Sequence, residues 1–144
     1  MTGTLLGFDF GAKRLGIAVG ETTTGIASPL TTIAGEANAA RFEALEKLVR
    51  EWQPAGFVVG RPKHADGSPH EVARLAEKFA RRLAARFNVP VVFVDETLTS
   101  ATAEAQLRES RTRAPKPGDV DALAAAIILQ SFLDAPQDHE RLAS

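Results

Sequence analysis

TLLGFDFGAKRLGIAVG, residues 4–20, decides how the rest of the chain reads. Thr4–Phe10 is a short apolar run, a turn around Gly11 and the Lys13-Arg14 pair interrupts it, and Leu15–Gly20 is a second run of the same kind. Two strands joined by a tight turn fit that pattern better than one helix. Gly25–Ile33 adds a third run, again bounded by Gly and Thr, so the first quarter of the chain is expected to be an antiparallel meander.

Further along, the period changes. Phe42, Leu45, Leu48, Val49 and Trp52 recur at helical spacing after Asn38, a candidate N-cap, and Pro54 closes the segment. Gly56–Gly60 (GFVVG) is a compact apolar strand, the loop Arg61–Pro69 follows it, and Val72, Leu75, Ala76, Phe79 and Leu83 then mark one face of a second helix. Val89–Val94 is again an apolar strand. Strands without polar alternation, separated by helices, pair in parallel with both faces covered. The meander is therefore expected to continue into a parallel half, giving an α/β fold with a five-stranded mixed sheet. Ser100–Arg108 reads as a short helix and ESRTRAPKPG, residues 109–118, as a loop. From Asp119 the sequence DVDALAAAIILQSFLD is apolar almost all round and should form a buried helix. The tail 136–144 reads as frayed.

A chain of 144 residues, 44% hydrophobic, suits one domain over 1–144. With no cysteine there is no disulfide framework, thiolate zinc site or cysteine nucleophile, so any metal is held by oxygen or imidazole. The N-terminus has neither the layout of a signal peptide nor the length of a membrane span, and a cytoplasmic protein with no membrane partner is expected. Seventeen basic residues against eighteen acidic ones give a net charge of −1, so a nucleic-acid partner must be argued from where the charges sit.

Three places hold acids where the pattern calls for apolar residues. Asp9 ends a core-type strand between Phe8 and Phe10, and an ionised group at that depth needs a partner; the alternative is a carboxylate that caps a turn. Asp95-Glu96 ends the strand VVFV in the same way, at the kind of strand terminus where open α/β sheets collect functional groups, although either acid can instead cap the next helix. Asp119 and Asp121 open the buried C-terminal helix, with Asp119 the economical N-cap and Asp121 the economical ligand; the helix dipole favours an acid at either position. Two carboxylates about 4 Å apart repel by about 4 kcal/mol at an effective dielectric near 20, so a cation between them is the natural remedy. Oxygen ligands alone describe Mg²⁺ or Mn²⁺, and magnesium takes phosphate as a co-ligand. The expected reaction is phosphodiester hydrolysis, with two ions bridging the scissile phosphate.

Basic residues fall in loops expected at the same edge of the sheet. They are Lys13 and Arg14 after the first strand, Arg61 and Lys63 with His64 after the fourth, and Arg108, Arg111, Arg113 and Lys116 before the last helix. As a set they suit phosphate contacts, whereas each singly is ordinary loop charge. His64 alone is taken as incidental, and Thr97, Thr99 and Ser100 as capping residues.

GFDFGAKRLGIAVG, VVGRPKHADGSP, VDETLTSATAE and DVDALAAAIILQSFLD, in that order, resemble the YqgF family, also called RuvX, over nearly the whole chain. The resemblance implies a ribonuclease-H-like fold with strand order 3-2-1-4-5 and a carboxylate triad at Asp9, Glu96 and Asp121, choosing Glu96 over Asp95 and Asp121 over Asp119; the place of Asp119 at the opening of the last helix keeps it a further candidate ligand. It implies nuclease activity on the 5′ end of the small-subunit ribosomal RNA precursor, or on Holliday junctions, and with the latter a homodimer. Thr97 stands where the family usually has arginine, which leaves a phosphate contact to another base such as Arg108 or Arg111. DFGAKRLGIAV also resembles the first phosphate loop of actin-like and sugar-kinase-like ATPases, but those enzymes close two related domains around the nucleotide. A non-catalytic ribosomal-RNA-binding module is the remaining alternative.

Overall fold

The computed structural model describes residues 1–11, 13–35, 37–62, 71–96, 117–136 and 140–141. The expected helix 100–108, and with it Lys63, His64, Thr97, Thr99, Ser100, Arg108, Arg111, Arg113 and Lys116, lie outside the described residues, as do the side chains of Glu96 and Asp119.

Strands β1 (Thr4–Phe10), β2 (Arg14–Glu21) and β3 (Ile26–Ala34) form the meander, followed by α1 (Asn38–Trp52), β4 (Gly56–Pro62), α2 (Glu71–Phe87), β5 (Val91–Glu96), α3 (Pro117–Asp134) and β6 (Glu140–Arg141). The sheet runs β3-β2-β1-β4-β5-β6. β1 pairs antiparallel with β2 and parallel with β4, and β5 lies parallel to β4. The order 3-2-1-4-5 is thus the one expected, with a two-residue strand added beyond β5.

β1 is the central strand and both its faces are buried, which is why it carries no alternation of polar residues. Leu6 and Phe8 belong to a core shared with α1 and α2, built around Phe42, Leu45, Phe57, Phe79 and Leu83. Ring contacts join that core: Phe8 to Phe57 at 5.6 Å and to Phe79 at 5.7 Å, and Phe42 to Phe79 at 5.8 Å between centroids. Leu5 turns to the opposite face with Ala18, Val58, Val92 and Val94, and that face is covered by Ala125, Ala126, Ile128, Leu129 and Phe132 of α3. Helices therefore lie on both faces.

α3 reaches the sheet closely because its footprint is glycine. A methyl group at Gly7 would stand 2.7 Å from the Leu129 Cβ, at Gly16 it would overlap the Asp121 carbonyl, and at Gly60 the Ile128 side chain. At the hairpin end, the Gln130 amide donates to the Gly25 carbonyl at 2.8 Å and accepts from the Ala27 N–H at 2.9 Å, which ties α3 to the β2–β3 turn.

Three boundaries differ from the sequence reading. Asn38 is the first residue of α1 rather than its cap; Ala37 is the flanking residue, with no side-chain capping bond. α3 starts at Pro117, so Asp119 lies inside its first turn instead of preceding it. Proline suits that start, because its fixed φ matches a helix and its missing N–H would have no partner there. Finally, Glu140 and Arg141 pair with Phe93 and Val92 of β5, within the tail expected to be frayed.

Candidate metal-dependent active site

Asp9 lies in register with Gly16 of β2 on one side and Gly60 of β4 on the other. Neither neighbour has a side chain, so the carboxylate stands in a cleared row beneath the first turns of α3. The same absence of a Cβ at Gly16 lets the Asp121 backbone settle against β2. Two acids 112 positions apart in the chain are thereby brought to one place. Asp9 is partly buried, and its pKa is pushed from 3.8 up to about 7, first by burial and then by the charge of Asp121.

Arg14 answers part of that charge. Its Nε donates to Asp121 Oδ2 at 2.6 Å, from a side chain half exposed at the start of β2. A cation thus already sits on one of the two acids, and it comes from the loop expected to meet phosphate. Lys13 beside it is exposed, while its backbone carbonyl accepts from the Gly35 N–H at 2.8 Å.

On β5, Asp95 already has a partner. Asp95 receives the Arg61 guanidinium in a two-pronged pair, Nε to Oδ1 at 2.7 Å and Nη2 to Oδ2 at 3.2 Å. Arg61 also reaches Glu77 at 3.3 Å and lies over the Phe93 ring at 4.5 Å. Its side chain is only 15% exposed, so it does not present the open loop cation expected for phosphate binding. Asp95 is accordingly engaged on the α2 side of the sheet. Glu96, the next residue, closes β5 two positions beyond Val94, which lies level with Gly60 and hence with the row of Asp9.

Arg41 is a site residue that sequence reasoning missed. It is 2% exposed, donates from Nη2 to the Gly11 carbonyl at 2.7 Å and from Nε to the Gly35 carbonyl at 2.9 Å, and lies over the Phe10 ring at 5.5 Å. It clamps the turn that follows Asp9 to the end of the meander. The available signal was its place one turn before Leu45 on the apolar stripe of α1, where a solvated arginine has no reason to stand.

The donors suit a hard divalent cation. Asp9 and Asp121 offer oxygen only, and burial together with the Asp121 charge makes the ionised form of Asp9 costly without a cation beside it. Among the described residues no cluster of three acids or histidines completes such a site. Glu96, whose side chain lies outside that set, stands at the end of β5 at the same edge of the sheet.

A mixed sheet in this order, flanked on both faces and holding acids at the end of its central strand and at the start of its last helix, defines the ribonuclease-H-like class. The same fold is found in the Thermus thermophilus RuvC solved with a Holliday junction substrate, with a TM-score of 0.59 at 18% identity over 97% of this chain and 99% of that one. The yeast mitochondrial Holliday junction resolvase gives a TM-score of 0.54 at 11% identity, over 92% of this chain and 78% of that one. At these identities the likeness speaks for the fold alone. The chain belongs to the RuvX family, whose profile, described as Holliday junction resolvase, matches residues 3–135. A relative from Dechloromonas aromatica, provisionally named a pre-16S rRNA nuclease, is 57% identical over 136 residues, 93% of this chain and 92% of its own length. One of the same name from Thiobacillus denitrificans is 54% identical over 134 residues, 92% of each chain.

Proposed function

We propose that this chain is a divalent-metal-dependent endonuclease that trims the 5′ end of precursor 16S ribosomal RNA in the cytoplasm, using Asp9, Glu96 and Asp121 to hold Mg²⁺ or Mn²⁺. The observation that carries it is the meeting of Asp9 and Asp121 in a glycine-cleared row, where burial and mutual repulsion leave Asp9 near pKa 7. The names borne by the relatives point to the RNA substrate.

When bound, the metal supplies the positive charge that activates water and stabilises the departing oxyanion. The chain's own residues supply the rest. Asp9 and Asp121 hold oxygen ligands on rigid elements, a strand and a helix, so their geometry is set before substrate arrives. Glu96 has the same strand parity as Val94 and completes the set from β5, and Asp119, in the first turn of α3, is a further candidate ligand. Arg14 is placed to release Asp121 to the metal and turn to a phosphate oxygen, with Lys13 beside it. Lys63, Arg108, Arg111, Arg113 and Lys116 extend that phosphate contact from the two long connections, and Arg108 or Arg111 stands in for the arginine that Thr97 replaces. Arg41 keeps the turn after Asp9 in place without touching substrate.

The family profile favours a second substrate, branched DNA. A symmetric four-way junction needs two active sites, so that reading requires a homodimer. A cleavage panel of precursor 16S RNA, single-stranded RNA and a four-way junction with Mn²⁺, read alongside light scattering, decides between them. The proposal expects cutting near the mature 5′ end and loss of cutting in Asp121→Asn. Tight, steeply salt-dependent binding without cleavage by any divalent ion would instead make the chain a ribosomal-RNA-binding module.

A further inference from the structure

On the face away from α3, a cleft runs between α1 and α2. Its first part is a cavity of about 290 Å³ with Phe10, Leu75 and Phe79 as apolar lining and Arg41, Lys78 and Arg82 as the charged one. Its second part, about 520 Å³, is lined by Phe42, Ala85, Arg82 and Arg86. Asn38 and Arg82 border both, so the two cavities adjoin.

The charge along this cleft has one sign. Lys78, Arg82 and Arg86 follow one another four residues apart on α2, in a row that rises about 6 Å per step. No carboxylate lines the cleft among the described residues. Among the described residues, no ion pair is formed by Lys78 or Arg82, and only Arg86 at the far end is closed off, by Glu46 at 2.6 Å. Glu77, next to Lys78, is turned to Arg61. Leu75 is 39% exposed, one of two large apolar side chains so placed among the described residues, and it lines the part of the cleft that Phe10 also lines.

That part of the cleft adjoins the catalytic edge. Phe10 directly follows Asp9 in β1, and Arg41 binds the Gly11 carbonyl. We infer that the α1–α2 cleft holds a single-stranded segment of the substrate nucleic acid as it leaves the catalytic edge, its phosphates on Lys78 and Arg82 and its bases against Leu75 and Phe10. The inference rests on the nuclease reading for its substrate. Cations beside apolar surface are the combination that binds single strands without reading sequence.

The test compares RNA duplexes with and without a single-stranded extension, bound in the presence of EDTA so that nothing is cut. Lys78→Ala/Arg82→Ala is read by fluorescence anisotropy against Arg74→Ala/Arg81→Ala, which removes the same charge from exposed α2 positions that do not line the cleft. The cleft variant is expected to lose about tenfold in affinity for the extended RNA, with a salt slope shallower by about 1.4 for two phosphate contacts, and to bind the blunt duplex as before. Equal loss on both RNAs, an equal effect of the control, or no effect at all overturns the inference. So does an acidic peptide whose binding is lost in the cleft variant while the affinity of that variant for the extended RNA is unchanged. Because the readout is binding, it stands apart from cleavage: a wild-type protein that cuts normally while the cleft variant binds normally defeats this inference alone.

Discussion

At Asp9 the cost of the site is concentrated, since a carboxylate that burial and Asp121 hold near pKa 7 resists ionisation at the pH where the proposed function has it bind a cation. Folding raises its pKa, so protonation favours the folded state: the metal-free protein should lose stability as pH rises from about 4 to about 7, by at most about 4 kcal/mol. Asp9→Asn removes that dependence, and it should melt at higher temperature than the wild type at pH 8 without metal. A lower melting temperature would mean that the Asp9 charge is already compensated. Arg14 gives a second prediction. Its bond to Asp121 competes with a metal, so Arg14→Ala should bind Mn²⁺ several-fold more tightly by calorimetry while binding nucleic acid more weakly. Unchanged Mn²⁺ affinity would show that the pair does not hold Asp121 back. Asp9 was legible in the sequence because a charge interrupts an apolar strand. Arg61 was not legible as an internal residue, because its partners Asp95 and Glu77 lie 34 and 16 positions away and only the parallel pairing of β4 with β5 and the packing of α2 bring them together.

Among the elements, α3 positions the site, and its approach to the sheet depends on glycine. Gly16→Ala places a methyl group into the Asp121 carbonyl, which is backbone and cannot swing aside. It is expected to destabilise by about 1–3 kcal/mol and to displace the first turn of α3. Leu83→Ala, in the core on the other face, should cost about 2–5 kcal/mol and leave cleavage intact wherever it remains folded. Cleavage rates of both variants, measured well below their melting temperatures, separate these outcomes; equal rates would remove Gly16 from the design of the site. β1, β4 and the apolar body of α3 could be read from pattern alone because burial dictates their composition. The start of α3 could not, since Pro117-Gly118 carries the marks of a break and acts as a helix opening only once the chain is packed. β6 is two charged residues whose strand geometry comes entirely from the edge of β5.

For the whole molecule, two cores share one sheet, with Leu6 and Phe8 in one and Leu5 in the other. Since β1 serves both, neither can dissolve alone, and a single cooperative melting transition is expected, with calorimetric and van't Hoff enthalpies in agreement. Two separated transitions would divide the chain where a single domain is proposed. None of the helices described is long and apolar enough to cross a membrane. The five-stranded mixed sheet followed from the succession of elements and its order 3-2-1-4-5 from the family resemblance, whereas the α1–α2 cleft depends on helix placement that no periodicity encodes. Asp9 and its partner acids are proposed to make a metal-dependent phosphodiesterase. Single-turnover cleavage of an RNA spanning the mature 5′ end of 16S ribosomal RNA with Mn²⁺, by wild type and Asp9→Asn, decides it. Cleavage by the wild type that EDTA stops, and that Asp9→Asn lowers by about a thousandfold or more while remaining folded, is the predicted result. Cleavage that survives EDTA, or an Asp9→Asn protein that cuts at the wild-type rate, would contradict it.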